Sequence, residues 1–194
     1  MPRTGQQTAR KAALVAATVE EIGSAGSLDV TVAQIAKRAG MSSALAHHYF
    51  GGKAQIFLAA MRHILSEYAG EVRSALAQAP KGQRLEAIVH ANFAESCFAP
   101  ATISAWLHFY ALAQSDPEAA RLLQVYHRRL HSNLVHALRG RCSDPVSMAE
   151  TLSALIDGVY LRAALQGGRT QGAAERVLAA AYAMQGRSPS GRTS

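Results

Sequence analysis

The chain has 194 residues, 49% of them hydrophobic, only two cysteines, and a formal net charge of +7. That is enough apolar mass to bury a core, either one ordinary domain or a small domain joined to a larger one. The cysteine count excludes a disulfide framework. With no secretory-type leader and no apolar run near the ~18 residues of a membrane span, the expectation is a cytoplasmic protein with no membrane partner. The charge favours an anionic partner and is densest at the start, where residues 1–62 carry seven Lys and Arg against three Asp and Glu.

Ala and Leu dominate and alternating β-branched runs are missing, so the reading is all-α with about nine helices. Ala13, Leu14, Ala17, Val19 and Ile22 form an apolar face between about 8 and 23, with Gly23 and Gly26 as stop signals. Thr31 followed by Gln34 has the form of a reciprocal cap and opens a second helix that ends at Gly40. A third runs from Ser42 or Ser43 to about Tyr49, and a fourth follows Gly51-Gly52 and continues to about Leu76. Pro80-Lys81-Gly82 breaks the chain. Beyond it, helices are expected at about 83–97, 101–113, 117–139, 146–166 and 171–185, with Asp116-Pro117 as a start signal. The domains are read as 1–52, 53–186 and a disordered tail over 187–194.

Residues 31–53, TVAQIAKRAGMSSALAHHYFGGK, hold two short helices joined by a turn containing Gly40, the spacing of a helix-turn-helix. Ile35 and Ala36 supply packing between them. A helix that enters the major groove needs short or hydrogen-bonding side chains, and Ser42, Ser43, Ala44, His47 and His48 meet that demand. Thr31 caps the supporting helix. Tyr49 can donate its hydroxyl to a phosphate oxygen, and Lys53 stands where the next helix begins, where free amides also favour phosphate.

The same stretch resembles the DNA-binding signature of TetR-family transcriptional regulators, a T-x-x-x-I-A-x-x-A-G-x-S run followed by an aromatic pair and a lysine. AIVHANFAES at 87–96, AWLHFYA at 105–111, RRLHSNLV at 128–135 and ALIDGVYLRAAL at 154–165 are similar to the choline-sensing branch that represses glycine betaine synthesis. Ala94 departs from that branch, where an acidic residue would be expected, and Gly51-Gly52 replaces a better capping pair. The resemblance implies three N-terminal DNA-binding helices, a linking fourth, and a homodimer formed through the last two helices on palindromic operator DNA. Ala154, Gly158, Ala163, Ala164, Ala179 and Ala180 would allow close helix approach there; their other reading is the subunit's own core.

A regulator of this kind needs an effector site. The candidates are the aromatics Phe93, Trp106, Phe109, Tyr110 and Tyr160, with Phe98 nearby, and the carboxylates Glu95 and Asp157. Aromatic faces and a carboxylate suit a small cation such as choline. The stripe of Trp106, Phe109 and Tyr110 also fits plain core packing, and another small molecule could be the effector of the same kind of repressor. No cofactor and no catalytic residue is read from the sequence. Among rival classes, His127 and His131 lie four apart as metal ligands would, but Arg128 and Arg129 oppose a cation between them. A helical metalloenzyme or a general polyanion-binding helical protein would leave the small-residue helix 42–48 and its Tyr49-to-Lys53 ending without a purpose.

Overall fold

The computed structural model describes residues 3–167 and 170–185, and the tail expected over 187–194 lies outside them. Among the described residues there are nine α-helices, one 3-10 turn and no strands: α1 Arg3–Ala25, α2 Val32–Arg38, α3 Ser43–Phe50, α4 Lys53–Gln78, α5 Arg84–Asn92, α6 Pro100–Leu112, α7 Pro117–Leu138, α8 Pro145–Leu165 and α9 Ala173–Met184, with the turn at Glu95–Phe98. They form two compact units. The first joins residues up to Glu67 with Ala99–Leu123, and the second joins Tyr68–Phe98 with Gln124 onward.

In the first unit, the apolar face of α1 meets α2, α3, the start of α4 and α6. Leu14, Ala17, Ile22, Val30, Val32, Ile35, Ala36, Ala46, Ile56, Phe57 and Ala105 form one buried cluster. The expected stop at Gly23 is not one. α1 passes through it to Ala25 and ends at Gly26, which takes the left-handed conformation (φ +60°) that glycine adopts without strain. Gly23 serves packing instead: a Cβ there would stand 2.5 Å from Ala101 Cα and 2.6 Å from Ala101 Cβ. α6 therefore crosses α1 closely at this point, and Ser104 Oγ donates to the Ile22 carbonyl at 3.3 Å.

In the second unit, Leu130, Leu134 and Leu138 recur every four residues on α7 and are fully buried with Leu85, Ile88 and Val89 of α5, Leu152 and Ile156 of α8, and Val177 of α9. The single helix expected over 83–97 is two elements. At its end the chain tightens, with Phe93 N donating to His90 O at 3.0 Å, and the residues after Ala94 form the 3-10 turn. Asp116 acts as expected from its position before Pro117, and Asp144, before Pro145, does the same for α8. Asp116 Oδ1 accepts from Ala119 N at 2.8 Å, and Asp144 Oδ1 accepts from Val146 N and Ser147 N. Glu86 ties the start of α5 to the rest, accepting from Arg141 Nη2 at 3.0 Å and from Tyr182 Oη at 2.6 Å.

Candidate functional site

The helix pair at 31–50 is built from local rules. Gln34 N donates to Thr31 Oγ1 at 3.2 Å and Thr31 N donates to Gln34 Oε1 at 2.7 Å, so two free amides at the start of α2 are satisfied reciprocally. Gly40, at φ +67°, turns the chain, and Met41 N reaches back to Ala36 O at 2.8 Å. Ser42 then caps α3, its Oγ accepting from Leu45 N at 3.2 Å. Val32, Ile35 and Ala36 of α2 are buried against this core, and Arg38 pairs with Glu21 across to α1.

α3 buries one residue, Ala46, at 0% exposure, and packs Leu45, Tyr49 and Phe50 half-buried beside it. Ser42, Ser43, Ala44, His47 and His48 are exposed, so its outward face is short and hydrogen-bonding. Of the other sequence-derived residues, Thr31 and Lys53 are exposed, and Tyr49 is half-buried with its ring leaning on the core and on His48, centroids 5.6 Å apart. Lys53 is the first residue of α4, and its Nζ lies 5.4 Å from the Phe57 ring centroid. Phe57 is buried, so the lysine stem is directed along α4 while its charge stays in water.

The seven residues proposed for an effector divide between the two units. Trp106, Phe109 and Tyr110 belong to the first, where Trp106 contacts both of the others at 5.7 and 5.5 Å between centroids and Phe109 is 1% exposed. Phe93, Glu95, Asp157 and Tyr160 belong to the second. There Phe93 stacks on Phe98 at 6.3 Å, Phe98 meets Tyr160 at 4.7 Å, and Tyr160 Oη donates to the Cys97 carbonyl at 3.1 Å. Glu95 opens the 3-10 turn with its side chain exposed. The carboxylate set among rings is Asp157, whose Oδ1 accepts from Tyr126 Oη at 3.0 Å and whose Oδ2 lies 3.4 Å from His127 Nε2.

Tyr68, Asn92 and Tyr126 complete this constellation and were not among the sequence-derived candidates. Tyr68 and Tyr126 meet edge to face at 5.4 Å, and Tyr68 Oη donates to Asn92 Oδ1 at 2.9 Å while Asn92 Nδ2 donates to Ile88 O at 2.8 Å. Burial pushes the Tyr68 phenol well above its ordinary range, against the opposing hydrogen bond to Asn92, so it is a neutral donor. One signal was available: Asn92 is four residues after Ile88 on the face that buries Leu85, Ile88 and Val89, where an amide needs designated partners.

The small residues of α8 and α9 do not act together. Ala163 and Ala164 are buried inside the subunit, whereas Ala154, Gly158 and Ala179 are exposed and Ala180 is half-buried. Ala154, Gly158, Leu161 and Leu165 follow one another at helical spacing on the outer face of α8, with Leu161 at 43% and Leu165 at 71% exposure. A Cβ on Gly158 would meet nothing within 4 Å. The subunit itself gives no reason for a glycine there. Among the described residues no three His, Cys, Asp or Glu side chains gather as a metal site, and no helix is long and apolar enough to cross a membrane.

Comparison with known proteins gives matches along most of the chain. A family model described as "Bacterial regulatory proteins, tetR family" matches residues 14–60, and one described as "BetI-type transcriptional repressor, C-terminal" matches residues 80–186. A Brucella suis protein named HTH-type transcriptional regulator BetI is 49% identical over 168 residues, 85% of each chain. The Agrobacterium fabrum protein of that name is 45% identical over 170 residues, 86% of this chain and 82% of its own. Among solved structures, a transcriptional regulator from Pseudomonas aeruginosa superposes with a TM-score of 0.81 at 26% identity, covering 92% of this chain and 91% of its own. A regulator from Saccharomonospora viridis, solved in complex with choline, has a TM-score of 0.77 at 22% identity and covers 88% and 94% of the two chains.

Proposed function

Because the chain belongs to the TetR family of transcriptional regulators and carries a BetI-type C-terminal domain, we propose that it is a cytoplasmic homodimer that holds a palindromic operator with α3 and answers to choline or a closely related cation. It is a ligand-responsive DNA-binding repressor and not an enzyme. On the operator side the support is the exposure of Ser42, Ser43, Ala44, His47 and His48 on the outward face of α3; in this reading they meet the bases, and Thr31, Tyr49 and Lys53 meet the phosphate backbone. Two copies related by a twofold axis would set the two α3 helices about one DNA turn apart, ~34–36 Å. The exposed stripe of Ala154, Gly158, Leu161 and Leu165 supports pairing through α8 and α9, since apolar surface of this kind on a soluble chain marks an interface.

The observation that carries the effector reading is Asp157, a carboxylate held by Tyr126 among the rings of the second unit. Ring faces attract a quaternary ammonium through their quadrupole and the carboxylate adds direct attraction. The choline found in the Saccharomonospora viridis structure favours the same ligand class for this chain. In this reading Phe93 and Tyr160 line the site with Asp157, and Glu95 lies at its rim. Calorimetry on the purified protein with choline, betaine aldehyde and glycine betaine tests it. Choline is expected to bind, and Asp157→Asn to weaken it more than the uncharged isostere 3,3-dimethylbutanol. No heat with any of the three at millimolar concentration refutes the choline reading and leaves a repressor that answers to another small molecule.

A further inference from the structure

His47 is the more unusual member of the double histidine, because the fold has already assigned one of its nitrogens. Gly51 ends α3 at a positive φ (+80°) that favours glycine, its N–H donating to the His47 carbonyl at 2.7 Å. The Gly51 carbonyl in turn lies 3.3 Å from His47 Nδ1. A carbonyl oxygen only accepts, so Nδ1 must carry the proton of this contact. His47 and Gly51 are thus clasped twice, once through the backbone and once through the ring. In the singly protonated ring this leaves Nε2 as a bare acceptor, on a side chain exposed on the outward face of α3. Ser43 precedes it by one helical turn on that face, and His48 rests on the Tyr49 ring instead.

A bare acceptor cannot bind phosphate, whose oxygens are acceptors too. In the major groove it meets a partner only where a base presents a donor, and the groove offers two: the N6 amino group of adenine and the N4 amino group of cytosine. Guanine presents N7 and O6, and thymine presents O4 and a methyl group, none of which donates. We infer that His47 is a specificity-determining residue that selects an amino-bearing base, adenine or cytosine, through Nε2, with Gly51 fixing the tautomer that makes it an acceptor. This rests on the operator reading given above.

The test is binding of the full-length protein to a selected operator and to all single-base variants of one half-site, for wild type and His47→Ala. His47→Ala is expected to relax preference at one base of each half-site, with about a 3- to 10-fold loss per half-site, the worth of one net hydrogen bond, and hence about 10- to 100-fold on a palindromic operator that holds both subunits. The salt slope should not change. Replacing that base in one half-site by an analogue lacking its major-groove amino group should cost the wild type the factor for one half-site and the variant nothing further. The exposed position leaves folding intact, which an unchanged melting temperature verifies. His47→Arg, a pure donor, should move the preference at that base towards guanine. The inference is overturned if His47→Ala relaxes no position, if the relaxed position prefers guanine or thymine in the wild type, or if affinity falls for all sequences with a shallower salt slope. A wild-type protein that selects no operator at all would overturn the operator reading itself, so the two failures are distinguishable.

Discussion

Replacing Gly23 with alanine adds one methyl group inside α1, where it would stand 2.5 Å from Ala101 Cα and 2.6 Å from Ala101 Cβ. Ordinary contact begins at 3.4 Å, so α1 and α6 must part by about 0.9 Å. The obstructing atoms belong to α6 backbone and a side chain without rotamers, so no local rotation relieves the overlap. Overpacking of this kind costs about 2–3 kcal/mol at the upper end of its range, against which alanine gains about 1 kcal/mol over glycine in a helix interior. The expected net loss is therefore about 1–2 kcal/mol, or a melting temperature lower by roughly 2–8 °C for a chain of this size. Gly70 is the control. It too lies inside a helix, α4, but a Cβ there would meet only Arg73 Nη2 at 4.0 Å, so Gly70→Ala should raise stability by about 0.5–1 kcal/mol. Both variants are compared with wild type by denaturant unfolding at one protein concentration, because dimerisation shifts apparent stability. If Gly23→Ala rises together with Gly70→Ala, the close crossing of α1 and α6 is refuted.

Three other substitutions read different parts of the molecule. Lys53→Ala should weaken binding to every DNA sequence and flatten the salt dependence by about one unit per subunit, hence about two for a dimer; an unchanged slope in a filter or fluorescence titration removes Lys53 from the backbone contacts. Leu161→Asp places a charge in the exposed stripe of α8 and should shift sedimentation from dimer to monomer while helical content is kept, whereas an unaltered dimer moves the interface elsewhere. For Glu86, burial alone would raise the carboxyl's pKa, but the hydrogen bonds from Arg141 and Tyr182 outweigh it and hold it below its ordinary 4.5. A depressed folded value means the contribution is complete above about pH 4.5 and disappears as pH falls through the folded pKa. Glu86→Gln should accordingly lower stability at pH 7 by about 1.5–3 kcal/mol and flatten the acid limb of the stability curve; equal acid limbs for both proteins would show that the pair contributes nothing.

What the sequence disclosed follows the range of the interaction responsible. The cap of Thr31 and Gln34, the turn at Gly40 and the start at Asp116-Pro117 are each decided within four residues, and each stands in the structure where the pattern puts it. The outward face of α3 follows from the same short range, since Ala46 is the one buried residue of that helix and the short polar side chains around it, Ser42, Ser43 and His47, are exposed. The residues proposed for an effector were only partly legible. Aromatic content marked Phe93 and Tyr160, but Tyr68 and Asn92 are 24 residues apart, and Tyr126 and Asp157 are 31 apart. Nothing local distinguishes Tyr126 from a core ring, because its role depends on which carboxylate a later helix brings to it.

Gly23 shows the limit most plainly, since its neighbour in space, Ala101, comes from a helix 78 positions later. In sequence it resembles Gly26: both follow an apolar stripe, and a glycine after such a stripe is ordinarily a helix end. The two differ in backbone conformation. Gly26 has positive φ and nothing near its missing side chain, so it is there for the turn; Gly23 is helical and crowded, so it is there for α6. A stop glycine tolerates no L-residue because of its dihedrals, whereas a packing glycine tolerates none because of its neighbour. Making room on α6 would therefore help one and not the other: Ala101→Gly should restore part of the stability lost in Gly23→Ala, by removing the Cβ met at 2.6 Å, and should leave Gly26→Ala as unstable as before. Failure of Ala101→Gly to recover any of the loss would place the strain on the α6 backbone alone, at the 2.5 Å approach to Ala101 Cα.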